Sequence, residues 1–147
     1  MIPHGREAID AKGVAEALGM AYKTFRNKGG AEHFGLQPFV PGRRKPLYDR
    51  AQVEAVRDGR VLPTWSIGTR QHPDDLLDEQ DVAEALGITY AAVRKDRSAG
   101  RLPGWVDVCG VAHIKRAALR LVIASRPGRG VGGGRPRKAT DADRQAG

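Results

Sequence analysis

At 147 residues the chain can hold one domain or two small ones, and with only 5% aromatic residues any core must be mostly Ala, Val, Leu and Ile. A formal net charge of +8 makes a polyanion the natural partner, and the single cysteine, Cys109, excludes an intrachain disulfide. No apolar run is long enough to cross a bilayer and the N-terminal residues lack the apolar stretch of a signal peptide, so a cytoplasmic protein without a membrane partner is expected.

The first predicted element is a helix over residues 12–18, with Asp10 as a cap whose carboxylate accepts from free N–H groups of the first turn. Val14, Ala15 and Leu18 share one face of it, and Gly19 ends it because glycine accepts a positive φ. A short helix over 21–28 follows, anchored by Phe25. Leu36 to Val40 and Leu47-Tyr48 then flank a Pro/Gly-containing basic turn at residues 41–46, which predicts a small hairpin. Asp49 caps a helix over 50–57 with Val53 and Val56 facing in. Residues 58–77 form a linker, and Trp65 within it is expected to dock on one of the units, since a flexible linker would not need a tryptophan.

The pattern then returns. Val14-Ala15-Glu16-Ala17-Leu18-Gly19-Met20-Ala21-Tyr22 recurs as Val82-Ala83-Glu84-Ala85-Leu86-Gly87-Ile88-Thr89-Tyr90, and Arg26 as Arg94, at a constant offset of 68 residues. Such a repeat means one structural unit used twice. Asp78 takes the place of Asp10, helices are expected over 80–86 and 89–98, and Val93 is the inward anchor. Trp105 to Val108 and Val111 to His113 flank a turn at Cys109-Gly110. A closing helix over 114–125 would face inward with Ala118, Leu119, Val122 and Ile123. Beyond it, residues 126–147 cannot build a core and are expected to be disordered. The organisation is thus mainly α with small β-hairpin wings: a first unit at 1–57, a linker at 58–77, a second unit at 78–125 and a basic tail at 126–147.

Charge is unevenly spread. Residues 1–68 hold 11 Lys and Arg against 7 Asp and Glu, residues 69–125 hold 8 against 8, and the tail 6 against 2. Within the middle section the acids come early and Arg94, Lys95, Arg97 and Arg101 late, as in a domain with one acidic and one basic side. A helix, a sharp glycine turn and a second helix form the geometry in which the second helix enters the DNA major groove. Its exposed side would carry Tyr22, Lys23, Arg26 and Asn27 in the first unit, and Thr89, Tyr90, Arg94 and Lys95 in the second. Arg suits a bidentate contact to guanine, and Asn to adenine. The competing reading of either copy alone is a helical hairpin with a solvated basic face; two copies in one register favour the DNA reading.

Residues 81–89 with Val93-Arg94 and Ala99-Gly100-Arg101-Leu102-Pro103 resemble the MerR/excisionase type of winged helix-turn-helix domain, as does the stretch from Arg43 to Val53 for that group's wing and following helix. The resemblance covers most of residues 8–125. It implies two tandem winged helix-turn-helix units with recognition helices in the major groove, helix contacts from Tyr22, Lys23, Arg26, Tyr90, Arg94 and Lys95, and wing contacts from Arg43, Arg44 and Lys45. The chain departs from the pattern in two places: the second wing has no basic residue, and the first recognition helix runs into Gly29-Gly30. In the tail, Gly134-Arg135-Pro136-Arg137, followed by Lys138, resembles the core of an AT-hook, which implies Arg side chains in a narrow A·T minor groove. A solvated basic tail with generic phosphate attraction is the alternative.

Other chemistry is thin. The histidines and Cys109 do not cluster in sequence as zinc ligands would, Glu16 and Glu84 suit a solvent face, and no phosphate-cradling glycine loop stands at a strand–helix junction. The expectation is a non-enzymatic, sequence-specific binder of double-stranded DNA, a transcriptional regulator that reads two half-sites with recognition helices in the major groove and a basic wing and tail on the backbone or minor groove, without cofactor, metal or small-molecule effector. The alternatives are an excisionase-like architectural factor of a phage or plasmid, and an adaptor that binds a recombination or replication protein or a second copy of itself. RNA suits it less, because exposed aromatic stacking platforms are scarce.

Overall fold

The structure, a computed structural model, describes residues 1–64 and 71–125. The expected docking of Trp65 and the whole tail, with Arg135, Arg137 and Lys138, lie outside those residues. Among the described residues the architecture is mixed, with six α-helices and two small antiparallel sheets. No helix among them is long and apolar enough to cross a membrane.

The repeat has a common order that begins with a strand. In the first unit β1 (Ala8–Asp10) runs into α1 (Ala11–Ala17), α2 (Tyr22–Asn27), a 3-10 turn (Gly30–Phe34), β2 (Leu47–Asp49) and α3 (Arg50–Arg57). In the second, β3 (Leu76–Asp78) runs into α4 (Glu79–Leu86), α5 (Tyr90–Ser98), β4 (Trp105–Val108), β5 (Val111–Lys115) and α6 (Arg116–Ser125). Each unit pairs its first strand antiparallel with its last: Ala8 with Asp49 and Asp10 with Leu47, then Leu76 with Lys115 and Asp78 with His113. The strand delivers the capping aspartate to the helix start. Asp10 accepts from the Gly13 N–H at 2.8 Å, and Asp78 from the Asp81 N–H at 2.8 Å. Gly19 and Gly87 end the helices with φ of 71° and 64°, where a side chain would be strained.

Three expectations are corrected. Leu47-Tyr48 does not form a hairpin with residues 36–40; it pairs with β1, and one bond, from the Phe39 N–H to the Leu47 carbonyl at 2.9 Å, ties the two segments. The end of the expected linker is β3, and β5 extends through Ile114 and Lys115, so α6 begins at Arg116. Ile123 is exposed, since α6 buries Leu119 and Val122 and turns the next residue outward. The β4–β5 hairpin around Cys109-Gly110 forms as expected.

Each unit has its own core. The first gathers Ile9, Val14, Phe25, Leu36, Tyr48 and Val53; the second gathers Leu77, Val82, Val93, Leu102, Ile114 and Leu119. Phe25 and Val93 hold the second helix of each pair, and full burial of one such side chain is worth about 1.5–3 kcal/mol. A third cluster joins the units. Ile2, Phe39 and Leu47 are buried together, with Leu76, Val108 and Val111 of the second unit packed against them. Ile2 also exchanges backbone hydrogen bonds with Leu76 at 2.8 and 2.9 Å, so the N-terminus extends the second unit's sheet. The two units are docked, not merely tethered.

Candidate nucleic-acid interface

The second helix of each pair is short, and its inward anchor leaves most of its circumference to solvent. Tyr22, Lys23, Arg26 and Asn27 are all exposed on α2, as are Thr89, Tyr90, Arg94 and Lys95 at the start and along the face of α5. The i, i+4 spacing stacks the same pair on each helix. The Arg26 guanidinium lies 5.9 Å from the Tyr22 ring centroid, and that of Arg94 lies 5.8 Å from Tyr90. Stacking on the ring restrains a long side chain that solvent would otherwise leave free, and it keeps the guanidinium edge open.

The two faces differ in their surroundings. Glu79, buried at the start of α4, receives Arg97 and lies 4.0 Å from Arg94. Burial and a hydrogen bond to Glu79 hold the Tyr90 phenol above its ordinary pKa, so it stays a neutral donor. Arg97 also packs over Trp105 at 5.8 Å. The first unit has Ala11 where the second has Glu79, and among the described residues Lys23 and Arg26 have no carboxylate within ion-pair distance. Glu79 and Arg97 figure in the sequence only as members of the acidic and basic runs, and not as site residues or as a pair. The acid stands 18 residues before its partner, a separation that helix periodicity does not connect.

The other candidates divide by what they touch. Thr89 caps α5, its Oγ1 accepting from the Ala92 N–H at 3.1 Å, so its hydroxyl is committed first to the helix. Arg101 pairs with Asp96 at 2.8 Å and remains solvent-facing. Arg44 is exposed. Arg43 departs from the wing-tip role: it turns inward, donating from Nε to Asp78 at 2.7 Å and from Nη2 to Asp81 at 3.1 Å, with Gln80 as a further partner. It clamps the first unit's loop to the N-terminus of α4, where the helix dipole is already capped by those carboxylates. Lys45 leans over the other unit's hairpin, with Nζ 3.4 Å from the Cys109 carbonyl.

The basic loop stands between two clefts. One, of about 490 Å³, is lined by Arg44 and Lys45 on one side and Tyr90, Arg94 and Gly110 on the other. The second lies against α2 and is lined by Tyr22, Arg26, Pro41 and Gly42. Among the described residues neither cleft is lined by a triad for nucleophilic catalysis. Elsewhere His4 and His72, separated by the repeat offset of 68, stack at 3.7 Å beside Asp74. The fold thus gathers histidines that the sequence leaves scattered, but His72 Nδ1 already accepts the Asp74 N–H and Lys115 holds the Asp74 carboxylate.

No protein-family model, curated protein or solved structure matches this chain. Its class is therefore defined by the architecture itself: a duplicated strand–helix–helix–strand–helix unit, each copy presenting one Tyr–Arg helix face.

Proposed function

We propose that this chain is a sequence-specific double-stranded DNA-binding protein, a transcriptional regulator built from two tandem helix-turn-helix units, the second with a β-hairpin wing, with α2 and α5 as recognition helices. The observation that carries the reading is the Tyr–Arg pair displayed twice, at one topological position, on helices that turn one anchor inward and the Tyr–Arg face to solvent. The surplus of 25 Lys and Arg over 17 Asp and Glu supports a polyanionic partner. Arg26 and Arg94 would read base edges, and Lys23, Asn27 and Lys95 would meet neighbouring bases or phosphates.

A protein-docking adaptor is the second reading, and it has one observation in its favour: Leu121 and Ile123 stand exposed on α6. The arginines discriminate. A good bidentate contact is worth about 1–3 kcal/mol, so Arg26→Ala and Arg94→Ala should each weaken binding to a selected duplex by roughly 5- to 150-fold, with less effect on random duplex. Gel shifts with both duplexes measure this. Unchanged affinity in both variants would overturn groove reading by α2 and α5, and absence of any shift by the parent chain would overturn the DNA reading and leave the adaptor.

A further inference from the structure

We propose that the loop at residues 41–46 of the first unit serves as the phosphate-gripping wing of the second, so that a DNA strand lies in the cleft between Arg44 and Lys45 and the Tyr90–Arg94 face. This rests on the DNA-binding reading and adds the path of the strand and the ownership of the loop.

The second unit's own hairpin is poorly suited to phosphates. Its tip, Cys109-Gly110, has no cation, and the Asp107 carboxylate accepts the Gly110 N–H at 2.9 Å, which leaves a negative charge at the turn. Lys45 arrives from the other unit to cover that tip. A Cβ built on Gly110 would stand 2.7 Å from Lys45 Nζ, which places the ammonium, at the end of its flexible stem, directly over the turn. Arg43 fixes the loop from behind. Its bonds to Asp78 and Asp81 place the next two residues along the cleft instead of leaving them on a mobile tip.

The charge of the cleft has the sign a phosphodiester needs. Five cationic residues, Arg43, Arg44, Lys45, Arg94 and Arg97, line it against two acids, Asp78 and Glu79, both of which are already paired. The far side of the same loop borders the cleft that holds Tyr22 and Arg26. One loop therefore adjoins both recognition faces, with its cations turned toward the second.

Ethylation-interference footprinting of the full chain on a selected duplex tests this. Arg44→Ala with Lys45→Ala removes two exposed cations and should leave the thermal midpoint in place. The slope of log K against log salt should fall by about 2, as loss of two phosphate contacts requires. The phosphates that cease to matter should adjoin the bases whose protection is lost in Arg94→Ala. If they adjoin the Arg26-dependent bases, or if none is lost, the shared wing is overturned while DNA binding stands. If the parent chain protects no base through either arginine, both readings fall together.

Discussion

Asp78 closes β3, caps α4 by accepting from the Asp81 N–H, donates its own N–H to the Asp81 carboxylate at 3.1 Å, and accepts from Arg43 of the other unit. Burial works to raise its pKa, but the bonds from Arg43 and the Asp81 N–H together with the Arg43 charge outweigh it, and the carboxyl ends below its ordinary range. Asp75 is lowered in the same way: burial again opposes, and the His4 and His72 N–H groups with Arg116 prevail. A carboxylate whose folded pKa lies below its unfolded value of about 4 contributes stability that is complete above that value and is lost as pH falls through the folded one. These two carboxylates should thus leave the thermal midpoint unchanged between about pH 5 and 8 and lower it in acid. Asp78→Asn should cost about 1–3 kcal/mol at neutral pH by removing a charge-assisted acceptor. Its curve should converge with that of the parent chain in acid, where protonation has already done the same; parallel curves across the range would disprove the assignment.

At the level of elements, α1 and α4 differ at the third helical position, Gly13 against Asp81. Helix propensity alone favours Gly13→Ala by about 1 kcal/mol. Packing opposes it: the added Cβ would stand 2.6 Å from Ile9 Cγ1 and 3.2 Å from the Asp10 carboxylate that caps the helix. Overpacking of this kind costs about 1–3 kcal/mol and should win, so the variant should unfold at lower denaturant, by about 1 kcal/mol net. A gain in stability in urea titrations would show that Ile9 can give way. The helices and caps were largely legible in the sequence, because Val14, Ala15 and Leu18 repeat as Val82, Ala83 and Leu86 and because Asp10, Asp49, Asp78 and Thr89 precede them. The strands β1 and β3 were not. Three residues carry no alternation to detect, and their partners lie about 40 residues away. For the same reason Arg43 could not be told from Arg44 and Lys45: three adjacent cations on a turn look alike until Asp78, 35 residues on, selects one of them.

For the whole molecule, docking changes what the duplication can do. A flexible tether would let two readers find half-sites at several separations. Here the buried Ile2, Phe39 and Leu47, the Ile2–Leu76 backbone bonds and the Arg43 clamp hold the two Tyr–Arg faces in one body, so on the proposed DNA-binding function one separation should be strongly preferred. DNA turns once in about 10–10.5 bp, and so a 5 bp insertion between the half-sites rotates one of them to the far side of the duplex. A 10 bp insertion restores the face but moves the half-site by about 34 Å, which a tether could span and a docked pair could not. Both insertions should therefore reduce the affinity to that of a single half-site. Ile2→Ala, which empties part of the joint at a cost of about 2–5 kcal/mol, should weaken binding to the native spacing and partly restore tolerance of the 10 bp insertion. Equal affinity of the parent chain for the native and 10 bp-extended sites would mean that the two units separate on DNA.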